Sequence, residues 1–134
     1  MSIVLRRLRG MRDLYGDEAR AWEKLEQAAC AVFERFGYEP IRTPMLEPYA
    51  LFSRSVGEVT DIVQKEMYKF TDRSNEEVAM RPEGTASVVR AFLENHLSQE
   101  RPVRKLYYYG PMFRAERPQA GRLRQFHQIG AEVF

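Results

Sequence analysis

The chain has 134 residues, 44% of them apolar and 30% charged, the make-up of one globular domain with its own core. A single cysteine, Cys30, excludes an internal disulfide framework and a paired-cysteine zinc site. No apolar run approaches the roughly 20 residues of a membrane-spanning helix, and with no secretory leader pattern at the start the expected location is the cytoplasm. The net charge is only +2, but residues 101–124 carry seven bases against one acid, Glu116. A locally basic stretch in a balanced chain points to an anion site and away from general nucleic-acid binding. No repeat, low-complexity tract or Gly/Ser linker divides the sequence, so residues 1–134 are expected to form a single unit.

In chain order, residues 17–36 come first. Trp22, Leu25, Ala29, Val32, Phe33 and Phe36 recur at helical spacing and form one apolar stripe. Asp17 and Glu18 suit the positive N-terminal end of that helix, and Gly37 suits the position just past its end. Pro40 and Pro44 make the next segment extended or turning. Residues 51–63 predict a short helix and a loop around Gly57. Residues 67–71 and 78–81 predict two strands about a polar turn at 72–75. A second helix is expected over 84–97, carrying Val88, Val89, Phe92, Leu93 and Leu97. Two long strands, 105–117 and 122–134, are then joined by a connector holding Pro118 and Gly121, which predicts an antiparallel hairpin. The order gives an α+β fold with an antiparallel sheet flanked by helices.

Strand side chains alternate faces, so Arg124, Phe126, Gln128, Gly130, Glu132 and Phe134 share one side of the last strand. An arginine, a ring, an amide and a carboxylate in line, with Gly130 leaving room, make a polar ligand floor; an ordinary solvated face is the plainer alternative. The other side, with Ile129, Ala131 and Val133, is expected to pack on a helix. Arg114 and Glu116 share a face of the preceding strand, where a planar guanidinium suits a phosphate or carboxylate. There is no GxxxxGK loop and no GxGxxG after a strand. His96, His127, Cys30 and the run Tyr107, Tyr108, Tyr109 are expected to serve packing or surface roles.

Several stretches together resemble a known family. Gly37 to Leu46 (GYEPIRTPML) resembles motif 1 of the class II aminoacyl-tRNA synthetases, and Phe113-Arg114-Ala115-Glu116 with Arg122-Leu123-Arg124-Gln125-Phe126 resembles their motif 2. Arg9-Gly10-Met11-Arg12-Asp13, Gly57-Glu58-Val59-Thr60-Asp61, Lys65-Glu66-Met67-Tyr68, Arg81-Pro82-Glu83-Gly84-Thr85 and the run RLRQFHQIGAE from Arg122 narrow the resemblance to histidyl-tRNA synthetases. It implies a partial class II catalytic domain, with motif 1 at about 37–46, a histidine-binding loop at 81–85 and motif 2 at about 105–134.

The resemblance further implies site roles. Arg114 resembles the arginine that holds the ATP α-phosphate and the amino-acid carboxylate and would be the catalytic residue. Glu116 and Arg122 resemble groups that orient ATP, and Phe126 resembles the ring stacked on adenine. Glu83, Gly84, Thr85 and Gln128 resemble the surroundings of the substrate amino group, and Glu132 the acceptor for its imidazole. The implied substrates are histidine and ATP with Mg2+, followed by the acceptor end of tRNA(His); no tightly bound cofactor and no resident metal are implied. A homodimer through the motif 1 region is implied too. Motif 3 and an anticodon-binding domain have no counterpart here, so an N-terminal catalytic part is expected. A non-catalytic ATP- or histidine-binding or dimerisation module, and part of the synthetase-like regulatory subunit of ATP phosphoribosyltransferase, are the alternatives.

Overall fold

The computed structural model describes residues 5–55, 65–99 and 101–134; the loop around Gly57 and the stretch Gly57 to Asp61 lie outside the described residues. Helix α1 spans Gly16–Arg35. It ends as the sequence suggests, with Gly37 at φ 75°. The Gly37 N–H donates to the Glu34 carbonyl and the Tyr38 N–H to the Phe33 carbonyl, both at 3.0 Å, the paired bonds of a left-handed helix stop.

Two small sheets follow. In one, β1 (Glu39–Pro40) pairs parallel with β5 (Lys105–Phe113), and β5 pairs antiparallel with β6 (Gln125–Val133). In the other, β4 (Glu77–Met80) lies between β2 (Leu46–Pro48) and β3 (Lys69–Thr71), all antiparallel. The β3–β4 turn forms because Asp72 Oδ1 accepts the N–H groups of Ser74 at 2.8 Å and Glu76 at 2.9 Å, while Asn75 takes the left-handed conformation at φ 64°. Helix α2 (Tyr49–Ser55) leads out of β2.

Helix α3 (Thr85–Glu94) joins the two halves and is followed by a 3-10 turn, Leu97–Gln99. Its Ala86 packs with Phe52, Met67 and Ala79, and its Val88 with Leu106, Tyr108 and Met112. Each large fully buried side chain, such as Phe52 or Met112, contributes about 1.5–3 kcal/mol of transfer energy. From β2, the buried Glu47 accepts from Arg90 of α3 at 2.8 Å, which fixes the helix against the second sheet.

Three expectations change. The final strands are shorter than expected: β5 stops at Phe113, opposite Gln125, and residues 114–124 form a broad loop. One more bond crosses the hairpin, from the Arg114 N–H to the Arg124 carbonyl at 2.9 Å, and the ladder goes no further because the Ala115 N–H donates to the Glu66 carbonyl. The Ile129, Ala131 and Val133 side of β6 is largely exposed. Helix α1 lies over β5, with Phe33 stacked on Tyr107 at 5.0 Å, and meets β6 through Trp22 against His127 at 4.8 Å. For the same reason only part of the α1 stripe is covered: Leu25, Val32 and Phe36 are more than half exposed. It is the opposite face of β6 that α3 covers, with Phe92 stacked on Phe134 at 4.0 Å.

Candidate functional site

The covered face of β6 meets the start of α3. Gly84, the residue before α3, has no side chain to cap the helix, and Glu83 does so instead. Its two carboxylate oxygens accept the N–H groups of Thr85 at 2.6 Å and Ala86 at 3.0 Å, where a negative charge also suits the helix dipole. Thr85 Oγ1 then donates across to Glu132 Oε1 of β6 at 2.7 Å. This one bond joins the 81–85 loop to the strand face.

Tyr108 fills the space between them. A Cβ on Gly84 would lie 2.1 Å from its ring, and one on Gly130 would lie 2.3 Å from its hydroxyl. The room at Gly130 is therefore taken by a tyrosine of the paired strand and is not open to a ligand. Burial chiefly, then the nearby carboxylates of Glu132 and Glu83, pushes the Tyr108 phenol up, against a hydrogen bond with Thr85 and the charge of Arg81. The phenol stays neutral and serves as a polar wall. Beside it Gln128 keeps a buried side-chain oxygen with no hydrogen-bond partner among the described residues. A buried acceptor left unpaired is costly, about 1–3 kcal/mol, so it favours a ligand bearing a donor.

A cavity of about 410 Å3 opens around the start and end of the 114–124 loop, lined by Glu66, Arg114, Glu116, Gly121, Arg122, Leu123 and Phe126. Arg114 lies beyond the strand end, not on it, and its side chain is held against Pro82 and Phe126. Its Nε–H donates to the Pro82 carbonyl at 3.0 Å, and its guanidinium carbon stands 5.0 Å from the Phe126 ring centre. Glu116 sits between two cations, 4.0 Å from Arg114 Nη1 and 3.8 Å from Arg122 Nη1. These spacings leave guanidinium N–H groups available to an anion entering the cavity.

All nine singled-out residues thus fall into two adjoining groups: Glu83, Gly84, Thr85, Gln128 and Glu132 around Tyr108, and Arg114, Glu116, Arg122 and Phe126 around the cavity. Arg124 leaves the expected floor. Its Nε–H donates to the Glu116 carbonyl at 3.0 Å and its backbone N–H to the Gly10 carbonyl at 2.8 Å, so it straps the N-terminal segment to the loop. Sequence reasoning missed Tyr108 and Glu66. Strand pairing of Tyr108 with Gly130 was the available signal for the first. For Glu66 there was none beyond its place in a family-like stretch.

The arrangement pairs a dipolar, carboxylate-rich recess with a cavity edged by arginines, as a zwitterionic small molecule and a phosphate-bearing one would need. A family model described as histidyl-tRNA synthetase matches residues 10–134. The histidine–tRNA ligase of Hydrogenovibrio crunogenus is 54% identical over 134 residues, covering all of this chain and 31% of that protein. That of Geobacter metallireducens is 56% identical over 126 residues, 94% of this chain and 30% of that protein. The chain therefore spans about a third of the length of the curated relatives it matches. The crystal structure of apo Staphylococcus aureus histidyl-tRNA synthetase superposes with a TM-score of 0.78 at 33% identity, over 96% of this chain and 28% of that one. Matched by that family model over residues 10–134 and sharing the α+β fold of a histidyl-tRNA synthetase, the chain belongs to the histidyl-tRNA synthetase family.

Proposed function

We propose that this chain supplies the ATP and histidine contacts of a histidine–tRNA ligase, which activates histidine to histidyl-adenylate and passes it to the acceptor end of tRNA(His). The supporting observation is the Thr85–Glu132 hydrogen bond, which holds a carboxylate on the same face of β6 as the buried, unpartnered oxygen of Gln128. Histidine carries both donors this recess asks for: an ammonium for Gln128, Thr85 and Glu83, and an imidazole N–H for Glu132. An apolar amino acid would bring Glu132 no donor beyond Thr85, a basis for rejecting it.

In the proposed reaction the histidine carboxylate oxygen attacks the α-phosphorus, the bond to the bridging oxygen breaks, and pyrophosphate leaves. The nucleophile is already an anion, so no general base is needed. Arg114 supplies fixed positive charge at the crowded phosphorus, held in place before substrate arrives. Phe126 offers a face for adenine, while Glu116 and Arg122 orient the nucleotide. Mg2+ would enter as part of the substrate, MgATP, offsetting the phosphate charge. Glu66 and Glu116 are the carboxylates that line that cavity and would offer it hard oxygen donors. Location in the cytoplasm and a homodimer through residues 37–46 belong to the same proposal. No described helix is long and apolar enough to cross a membrane.

The test is histidine-dependent ATP–pyrophosphate exchange, with ATP and histidine titrations of the same samples. Arg114→Ala is expected to lose exchange and weaken ATP binding, and Glu132→Ala to lose preference for histidine over apolar amino acids. A folded chain that binds neither ATP nor histidine overturns the proposal.

A further inference from the structure

The 81–85 loop is held from behind by a side chain whose hydrogen bonds go to Thr43 and Pro111, outside both groups of site residues. Arg81 is buried, and its guanidinium donates three times. Nε–H goes to the Pro111 carbonyl at 2.9 Å; Nη1 goes to the Thr43 carbonyl at 3.0 Å and to Thr43 Oγ1 at 3.2 Å. Its backbone is fixed as well, N–H to the Met45 carbonyl at 2.9 Å and carbonyl to the Phe113 N–H at 3.0 Å. Gly110 is shaped for it, since a Cβ there would stand 2.8 Å from Arg81 Nη2. The next residue, Pro82, gives its carbonyl to Arg114, and the one after, Glu83, caps α3.

We propose that Arg81 is a positioning residue that ties the Thr43–Met45 segment to Arg114 through the Pro82 carbonyl, so that a shift of that segment is felt at the arginine of the cavity. Only a planar fork reaches acceptors on both Thr43 and Pro111 at once, so lysine cannot replace it. The proposal rests on Arg114 acting at the nucleotide, but its first test does not.

That test follows hydrogen exchange at the Arg114 Nε–H by NMR in the ligand-free chain, the signal being assigned by its loss in Arg114→Lys. In Arg81→Lys the exchange is expected to be about tenfold faster, the range of coupling carried by a packed network, with the amide spectrum of α1 and α3 retained. Exchange as slow as in the unaltered chain overturns the proposal. Should Arg81→Lys fail to fold, Thr43→Val decides, since it removes one acceptor on the far side of Arg81. Faster exchange at Arg114 supports the coupling, and unchanged exchange rejects it. ATP titration supplies a readout that a purely structural role would not move. Arg81→Lys is expected to lower affinity about tenfold with Arg114 present and to have no further effect in Arg114→Ala. Equal losses in both backgrounds overturn the coupling, whereas no ATP binding in the unaltered chain overturns the proposed function and leaves the exchange result to judge Arg81.

Discussion

Among single residues, Glu66 has the most unusual surroundings. It lines the cavity beside Glu116, with Arg114 and Arg122 on the same wall. Burial first, then the charge of Glu116 and a hydrogen bond with it, push the Glu66 carboxyl above its ordinary 4.5, while the two arginines pull the other way. The unfolded chain has no such environment, so between the ordinary and the raised value the native state keeps a proton that the unfolded state has lost. Stability then falls as pH rises through that window. Glu66→Gln removes the ionisation, so its stability relative to the unaltered chain is expected to improve as pH climbs above the ordinary carboxylate range and to match it below. Urea midpoints at stepped pH check this; a difference that stays flat across the range refutes it. Sequence could not have placed this pair, because the bond from the Ala115 N–H to the Glu66 carbonyl joins segments far apart in the chain.

At the level of elements, Glu83 serves α3 before it serves any ligand. Both oxygens satisfy N–H groups of the first turn that Gly84 leaves without a partner. Glu83→Ala is therefore expected to cost about 1 kcal/mol of stability, and Glu83→Gln less because one acceptor remains. Denaturant unfolding of both variants without ligand checks this, and equal stability of all three chains would show that the cap is idle. Elements whose signals are local were legible: α1 from its stripe and Gly37, the β3–β4 turn from Asp72 and Asn75, α3 from its apolar spacing. Those set by distant partners were not. The parallel pairing of β1 with β5 and the split into two sheets have no local signature. The hairpin was drawn too long because residues 114–117 and 122–124 suit a strand as well as a loop, and an acceptor from outside the hairpin, the Glu66 carbonyl, takes the Ala115 N–H from the ladder. The candidate residues were legible as a set through alternation along β6 and through resemblance. Their packing was not, since the gap at Gly130 is filled by the ring of Tyr108.

For the whole molecule, the distribution of uncovered surface sets two different kinds of association apart. Among the described strands β6 is an edge nine residues long, and its far face exposes Ile129 and Val133. An unprotected edge recruits further strands without a natural limit. The segment around motif 1 offers a smaller surface, where Met45 and Leu46 are about half exposed, and a two-fold contact there closes on itself as a dimer. Sedimentation of the chain over a range of concentrations is expected to show dimers together with larger species. Val133→Lys, a charge on the exposed side of the edge, should remove the larger species and leave the dimer, whereas Leu46→Lys should remove the dimer and leave edge-driven growth. If Val133→Lys abolishes dimers too, the two-fold contact runs through β6, and the proposed place of motif 1 in the dimer fails.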